Sequence, residues 1–129
     1  MRSIETTVDL AMDEAEQEVR RALGEEGFGV LTEIDVAATL KAKIGVERPP
    51  LRILGACNPD LANRALQADP TVSLLLPCNV VLEPAGTGTR VASADPVDVL
   101  GGDAVAAVAA EARERLQRAF ARIGATATA

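Results

Sequence analysis

The sequence contains no histidine, tryptophan or tyrosine, and Phe28 and Phe120 are its only aromatic residues. Without histidine, neither a Ser-His-Asp nor a Cys-His nucleophile system can be assembled from this chain. Histidine-based zinc and non-haem iron sites fall with them. Acid–base work is left to carboxylates, to Lys41 or Lys43, or to a thiol. The scarcity of aromatics argues against binding by stacking, whether of nucleobases or of flat cofactors. No apolar run approaches the roughly 20 residues of a membrane span. The longest, Leu74-Leu75-Leu76 and the Ala/Val stretch from Ala104 to Ala110, have the size of core segments. A basic N-terminal region followed by an apolar stretch is missing, so no secretory signal is expected. Two cysteines do not make a disulfide framework. The expectation is a soluble protein of the reducing cytoplasm with no membrane partner.

What is present fits one domain spanning residues 1–129. A chain of this length buries roughly two thirds of its unfolded surface and needs neither disulfide nor metal to fold. The formal net charge is -6. Residues 1–26 carry eight acids (Glu5, Asp9, Asp13, Glu14, Glu16, Glu18, Glu25, Glu26) against three arginines, a net of -5. Such a field repels phosphate backbones and anionic lipid, so no nucleic-acid partner is expected. As a structural feature, the acids read as the solvated face of one helix.

Ser3 to Val8 has a β-compatible alternation, and Asp9 reads as the N-cap of a helix carrying Met12, Ala15, Val19, Ala22 and Leu23 inward, with Gly24 near its end. Phe28 to Ile34 reads as a second strand. Asp35 caps a short helix that turns Val36, Leu40 and Ile44 inward and stops at Gly45. Leu51 to Ala56 is apolar enough for a central strand. Asn58-Pro59-Asp60 combines a capping side chain, a proline at the first helical position and a first-turn acid. The helix it opens turns Leu61, Ala62, Ala65 and Leu66 inward and ends before Asp69-Pro70. Val72 to Leu76 and Val80 to Glu83 read as strands interrupted by Pro77. A turn over Pro84 to Gly88 leads to the strand Thr89 to Ala92. The last helix, about 103–123, aligns Val105, Val108, Ala112, Leu116, Ala119 and Ile123 on one face, and 124–129 reads as a frayed tail. The order β-α-β-α-β-α-β-β-β-α predicts an α+β fold: a single layer of largely antiparallel sheet with helices packed mainly on one face.

Two Cys-Asn steps carry the candidate chemistry. Cys57 follows the apolar strand and precedes the Asn58 cap, where the helix dipole and free amides favour thiolate, the reactive and metal-binding form. Cys78 follows Pro77 at a break between strands, where side chains can be re-aimed. The bland alternatives are a cysteine that fills core space at each position, a cap for Asn58 and a turn residue for Asn79. If the two strand ends are neighbours, Cys57, Asn58, Cys78 and Asn79 line one pocket. A disulfide needs Cα atoms within roughly 7 Å. Two thiolates suit a soft ion such as Cu(I), with two pairs across a dimer making a tetrahedral site. Gly86-Thr87-Gly88-Thr89 is not a phosphate loop, because it lacks a Walker-type lysine and leads into a strand. Arg113, Arg115 and Arg118, interleaved with Glu111 and Glu114, read as an exposed, ion-paired helical face.

Three segments in order, Gly27-Phe28-Gly29-Val30-Leu31-Thr32-Glu33-Ile34-Asp35, Arg52-Ile53-Leu54-Gly55-Ala56-Cys57-Asn58-Pro59 and Leu75-Leu76-Pro77-Cys78-Asn79-Val80, resemble the domain-of-unknown-function 302 family. The similarity runs from about Val8 to Asp95, with the final helix also expected. The resemblance implies a TATA-binding-protein-like α+β fold and a homodimer of bacterial or archaeal origin, and it brings no established activity. It does not import DNA binding, because function lives in sites and not in folds.

The sequence assigns no catalytic residue, metal or cofactor. Its first functional reading is a dimeric binding module for a small ligand, sulfur species or soft metal near the two Cys-Asn steps. A thiol redox or sulfur-transfer enzyme, with Cys57 as nucleophile and Cys78 resolving, is the second. A structural or regulatory interaction domain with both cysteines in its core is the third.

Overall fold

The computed structural model describes residues 1–128, with side chains described over residues 1–123. Its elements are β1 (Ser3–Val8), α1 (Met12–Glu25), β2 (Gly29–Asp35), α2 (Val36–Ile44), β3 (Arg52–Cys57), α3 (Pro59–Ala68), a 3₁₀ turn (Pro70–Leu75), β4 (Cys78–Ala85), β5 (Gly88–Ala94), a one-turn α4 (Pro96–Val99), a second 3₁₀ turn (Asp103–Val105) and α5 (Ala106–Thr128). The five strands form one sheet in the order β1-β5-β4-β3-β2, and every neighbouring pair is antiparallel. The predicted α+β class therefore stands.

The core lies between one sheet face and two helices. Leu54, Ala56, Val80, Leu82 and Val91 alternate onto that face, as strand periodicity requires. α1 meets them with Ala15, Val19, Ala22 and Leu23, and α5 with Leu116, Ala119, Phe120 and Ile123. Both sets recur at helical spacing, so each helix buries a stripe and leaves its charged residues outside. A second, smaller cluster joins Ala65 of α3, Val72, Leu100, Val105 and Ala109.

Several boundaries differ from expectation for local reasons. α1 is N-capped by Ala11 without a side-chain bond, not by Asp9. Gly24 lies inside its last turn, and the chain leaves at Gly27, whose φ of 85° is a conformation that glycine adopts without steric cost. Asp35 does cap α2, accepting from Ala38 N at 2.9 Å, and Gly45 ends it at φ 69°. Yet α2 buries nothing. Val36 and Leu40 are half-buried and Ile44 is 67% exposed, because the helix lies against β3 without a second layer over it.

The predicted strand Val72–Leu76 is instead the 3₁₀ turn Pro70–Leu75. Asp69 accepts from both Thr71 N (3.0 Å) and Thr71 Oγ1 (2.7 Å), so Asp69-Pro70 starts a new turn as well as ending α3. Only Val72 of that turn is buried; Leu74 is 84% exposed. The meander thus has two strands, β4 and β5, joined by the two-residue turn Gly86-Thr87. α5 continues to Thr128, so the tail expected at 124–129 is helical up to that residue, and Ala129 lies outside the described residues.

Candidate ligand groove at the Cys-Asn strand ends

β3 ends on Cys57 and β4 begins on Cys78, and because these strands are antiparallel neighbours both cysteines sit at one end of the sheet. The two strand ends are neighbours. The register sharpens it: Ala56 pairs with Cys78 and Gly55 with Asn79. Directly opposed residues share a face and successive residues alternate, so Cys78 belongs to the face of Ala56 and Val80, whereas Cys57 and Asn79 belong to that of Gly55. The two thiols are free and half-buried. Burial pushes the Cys78 thiol above its ordinary value, and the nearby Cys57 adds to the effect. Cys78 is therefore held in its protonated, unreactive form at neutral pH.

The two asparagines are used differently. Asn58 is 6% exposed. Its Oδ1 accepts from Leu61 N at 3.2 Å, capping α3, while its Nδ2 donates to the Glu26 carbonyl at 3.2 Å. That carbonyl also accepts from Arg115 Nη1 at 3.2 Å. A Cβ on Gly27 would stand 3.0 Å from Asn58 Nδ2, so the glycine lets the α1–β2 turn approach the cap. Asn58 thus ties α3 to the end of α1. Asn79 is exposed, and the hydrogen bonds of the described residues do not engage its side chain. Beside it, a Cβ on Gly55 would collide with Thr32 Oγ1 and come within 2.9 Å of Pro77 Cγ. Only glycine lets the chain at Pro77 fold down onto the sheet here.

Two cavities meet at this end of the sheet. An open groove of about 460 Å³ lies between the 3₁₀ turn and α4, bordered by Leu74, Leu75, Cys78, Asn79, Pro96 and Val99 among others. A smaller inner cavity of about 30 Å³, which like the groove is open to solvent, is bordered by Cys57, Asn58 and Cys78 together with apolar side chains of α3 and α5. Leu76, Cys78 and Leu100 border both. Among the described residues, no charged side chain lines either cavity. Three of the four candidate residues therefore gather at the inner cavity, Asn79 opens on the groove, and Cys78 faces both. The groove's leucines and α4 residues are not among the candidates that the sequence offers, because the Leu74-Leu75-Leu76 run reads as a core-sized segment. Its signal in the sequence was the Asp69-Pro70 turn start.

Charged groups cluster elsewhere. Glu26, 7% exposed, receives Arg118 Nε at 2.9 Å and Arg122 Nη2 at 3.0 Å. Burial acts to raise its pKa, but the two guanidinium groups outweigh it and hold the carboxyl below its ordinary value. Arg113 Nε lies 3.1 Å from Asp95 Oδ2 but without hydrogen-bond alignment. On α1 and β2, burial opposes ionisation of Glu16, while hydrogen bonds from Glu33 and Arg20 hold it low; Glu33 is raised in turn by its hydrogen bond to Glu16. Among the described residues, no group of three or more His, Cys, Asp or Glu is placed to hold a metal. No helix among them is long and apolar enough to cross a membrane.

The family model described as Domain of unknown function DUF302 matches residues 4–123. The chain belongs to this family. A crystal structure of an uncharacterized conserved DUF302 protein from Bacillus stearothermophilus superposes with a TM-score of 0.87 at 29% identity, covering 95% of this chain and 98% of that one. No curated protein matches the chain. The DUF302 match extends beyond the segment that carried the sequence resemblance and includes most of α5.

Proposed function

We propose that this DUF302 protein is a binding module whose small ligand occupies the groove between the 3₁₀ turn and α4, at the Cys78-Asn79 step. One observation carries the reading: an uncharged concavity of about 460 Å³ whose rim exposes Leu74 and Leu75 to water. That volume falls within the roughly 300–1,000 Å³ range of small-molecule sites, which are mostly apolar with a few polar groups that fix orientation. Asn79 supplies an amide with no other use, and the Cys78 thiol supplies a weak donor. The Cys57-Asn58 step supports the floor and does not contact the ligand's open side.

The thiol-enzyme reading draws less support. Cys57 and Cys78 border the same small cavity, but burial keeps the resolving thiol, Cys78, protonated. A soft-metal site draws little, for the same reason. A homodimer is supported by a separate surface: Leu31 and Ile34 of β2, Ile44 of α2 and Val46 are 66%, 48%, 67% and 43% exposed. Exposed aliphatic side chains on an edge strand and the helix after it suit burial against a second copy. Ile44→Lys is expected to shift the protein to monomer in sedimentation equilibrium.

The groove is tested with Nile red, a neutral apolar dye, followed by fluorescence titration. Leu75→Glu places a charge on the groove rim at a site that is already 45% exposed, so the fold tolerates it. The expected result is single-site binding to the native protein, weakened at least tenfold by Leu75→Glu. Equal affinity for both proteins would contradict the reading.

A further inference from the structure

We infer that the ligand of this groove carries an unbranched hydrocarbon tail and an uncharged head, with the tail's end seated in the inner cavity beneath α3. The inference rests on the groove being the binding site and adds the ligand's chemical class.

The inner cavity is what points to a chain. Its walls are Phe28, Ala56, Leu61, Ala65 and Ala112, with Val108 and Ala62 at the edge. Four of these are alanines, drawn from β3, α3 and α5, so the slot is narrow and smooth where larger side chains would close it. A space of about 30 Å³ has room for a water, but a water needs two to four polar partners. The Asn58 side chain spends one N–H on the Glu26 carbonyl and one oxygen lone pair on Leu61 N. The Cys78 thiol is held neutral. The surface facing the space is almost wholly apolar, so it suits a methyl or methylene better than a solvent molecule.

The cavity adjoins the groove. Leu76, Cys78 and Leu100 border both spaces, so rotation of flexible leucine side chains joins them without moving a strand. Leu74, Leu75 and Val99 then continue the apolar lining outward to the rim. A carboxylate or phosphate head would meet no cation in either cavity, and desolvating it unpaired is costly. An amide, alcohol or ester head instead meets Asn79, which both donates and accepts.

The test uses straight-chain 1-alkanols from butanol to decanol, with decanoate at pH 8 for comparison, each titrated into ¹⁵N-labelled protein and followed by amide chemical shifts. Burying a methylene is worth about 0.8 kcal/mol, so affinity is expected to rise roughly fourfold per added carbon. The longer alcohols are expected to shift amides of Val108 and Ala112 as well as those of residues 74–79. Decanoate is expected to bind at least tenfold more weakly than decanol. Ala62→Leu, at a half-buried edge of the slot, should cut decanol affinity and leave that of butanol unchanged. If butanol shifts residues 74–79 but affinity does not grow with chain length, the groove stands as a site and the tail inference is overturned. If decanoate matches decanol, the uncharged head is overturned. If no alkanol shifts any groove amide, both the tail and the groove reading fail.

Discussion

The chain uses the same dipeptide twice at the same end of its sheet, with opposite results. At Cys57-Asn58 a strand runs straight into a helix, and every polar group of the asparagine is committed: Oδ1 to the first turn of α3, Nδ2 to the carbonyl that closes α1. At Cys78-Asn79 the chain is entering a strand from a proline turn. The asparagine lies in solvent and the cysteine between two cavities. The difference teaches that residue type alone does not make a site. The direction in which the chain crosses the step decides whether its polar atoms are used by the fold or left for a ligand.

The largest effect expected from breaking this contrast comes from the first step. Asn58→Ala removes a helix cap and leaves a buried carbonyl with one donor fewer, and should cost about 1–3 kcal/mol in urea denaturation. Asn79→Ala should change stability by less than about 0.5 kcal/mol, since the side chain is exposed. Comparable losses at both positions would erase the distinction.

A smaller effect concerns the region that Asn58 is tied to. The folded-state pKa of Glu26 lies below its ordinary value, so its ionised form contributes stability above the unfolded pKa of about 4.3, and that contribution is lost as pH falls through the folded value. Glu26→Gln should therefore lower the urea midpoint at pH 7 and flatten its decline toward pH 3. A variant whose pH profile matches the native one would show that Arg118 and Arg122 do not act through this carboxylate.

The smallest effect is kinetic. In Cys57→Ser the remaining thiol, Cys78, should react with iodoacetamide at pH 8 several-fold more slowly than glutathione, because burial keeps it protonated. Labelling at the rate of a free thiol or faster would restore the case for thiol chemistry.

Much of the architecture was legible because it rests on short-range rules. Asp35 and Asn58 cap the helices that they were expected to cap, and the apolar spacing of α1 and α5 marks the faces that meet the sheet. Both cysteines fall at strand ends, but only the β3–β4 pairing makes those ends neighbours. What escaped was tertiary. Val72 to Leu76 has the composition of a strand but joins no sheet, and the Asp69 cap turns it into a 3₁₀ segment. The expected inward stripe of α2 has no layer to pack against. The faces on which the thiols lie depend on register, which pairs Ala56 with Cys78 and is set by contacts across the whole of β3 and β4. No pattern within either dipeptide encodes it.

The account's central claim, that the second Cys-Asn step borders a ligand site and the first supports it, is tested most directly by mapping hexanol-induced amide shifts onto the ¹⁵N spectrum of the native protein. The predicted result is a contiguous set of perturbed residues over Leu74–Asn79 and Pro96–Leu100, of which the prolines give no amide signal. Perturbations centred on the exposed β2–α2 surface at Leu31, Ile34 and Ile44, with the groove residues unmoved, would contradict it.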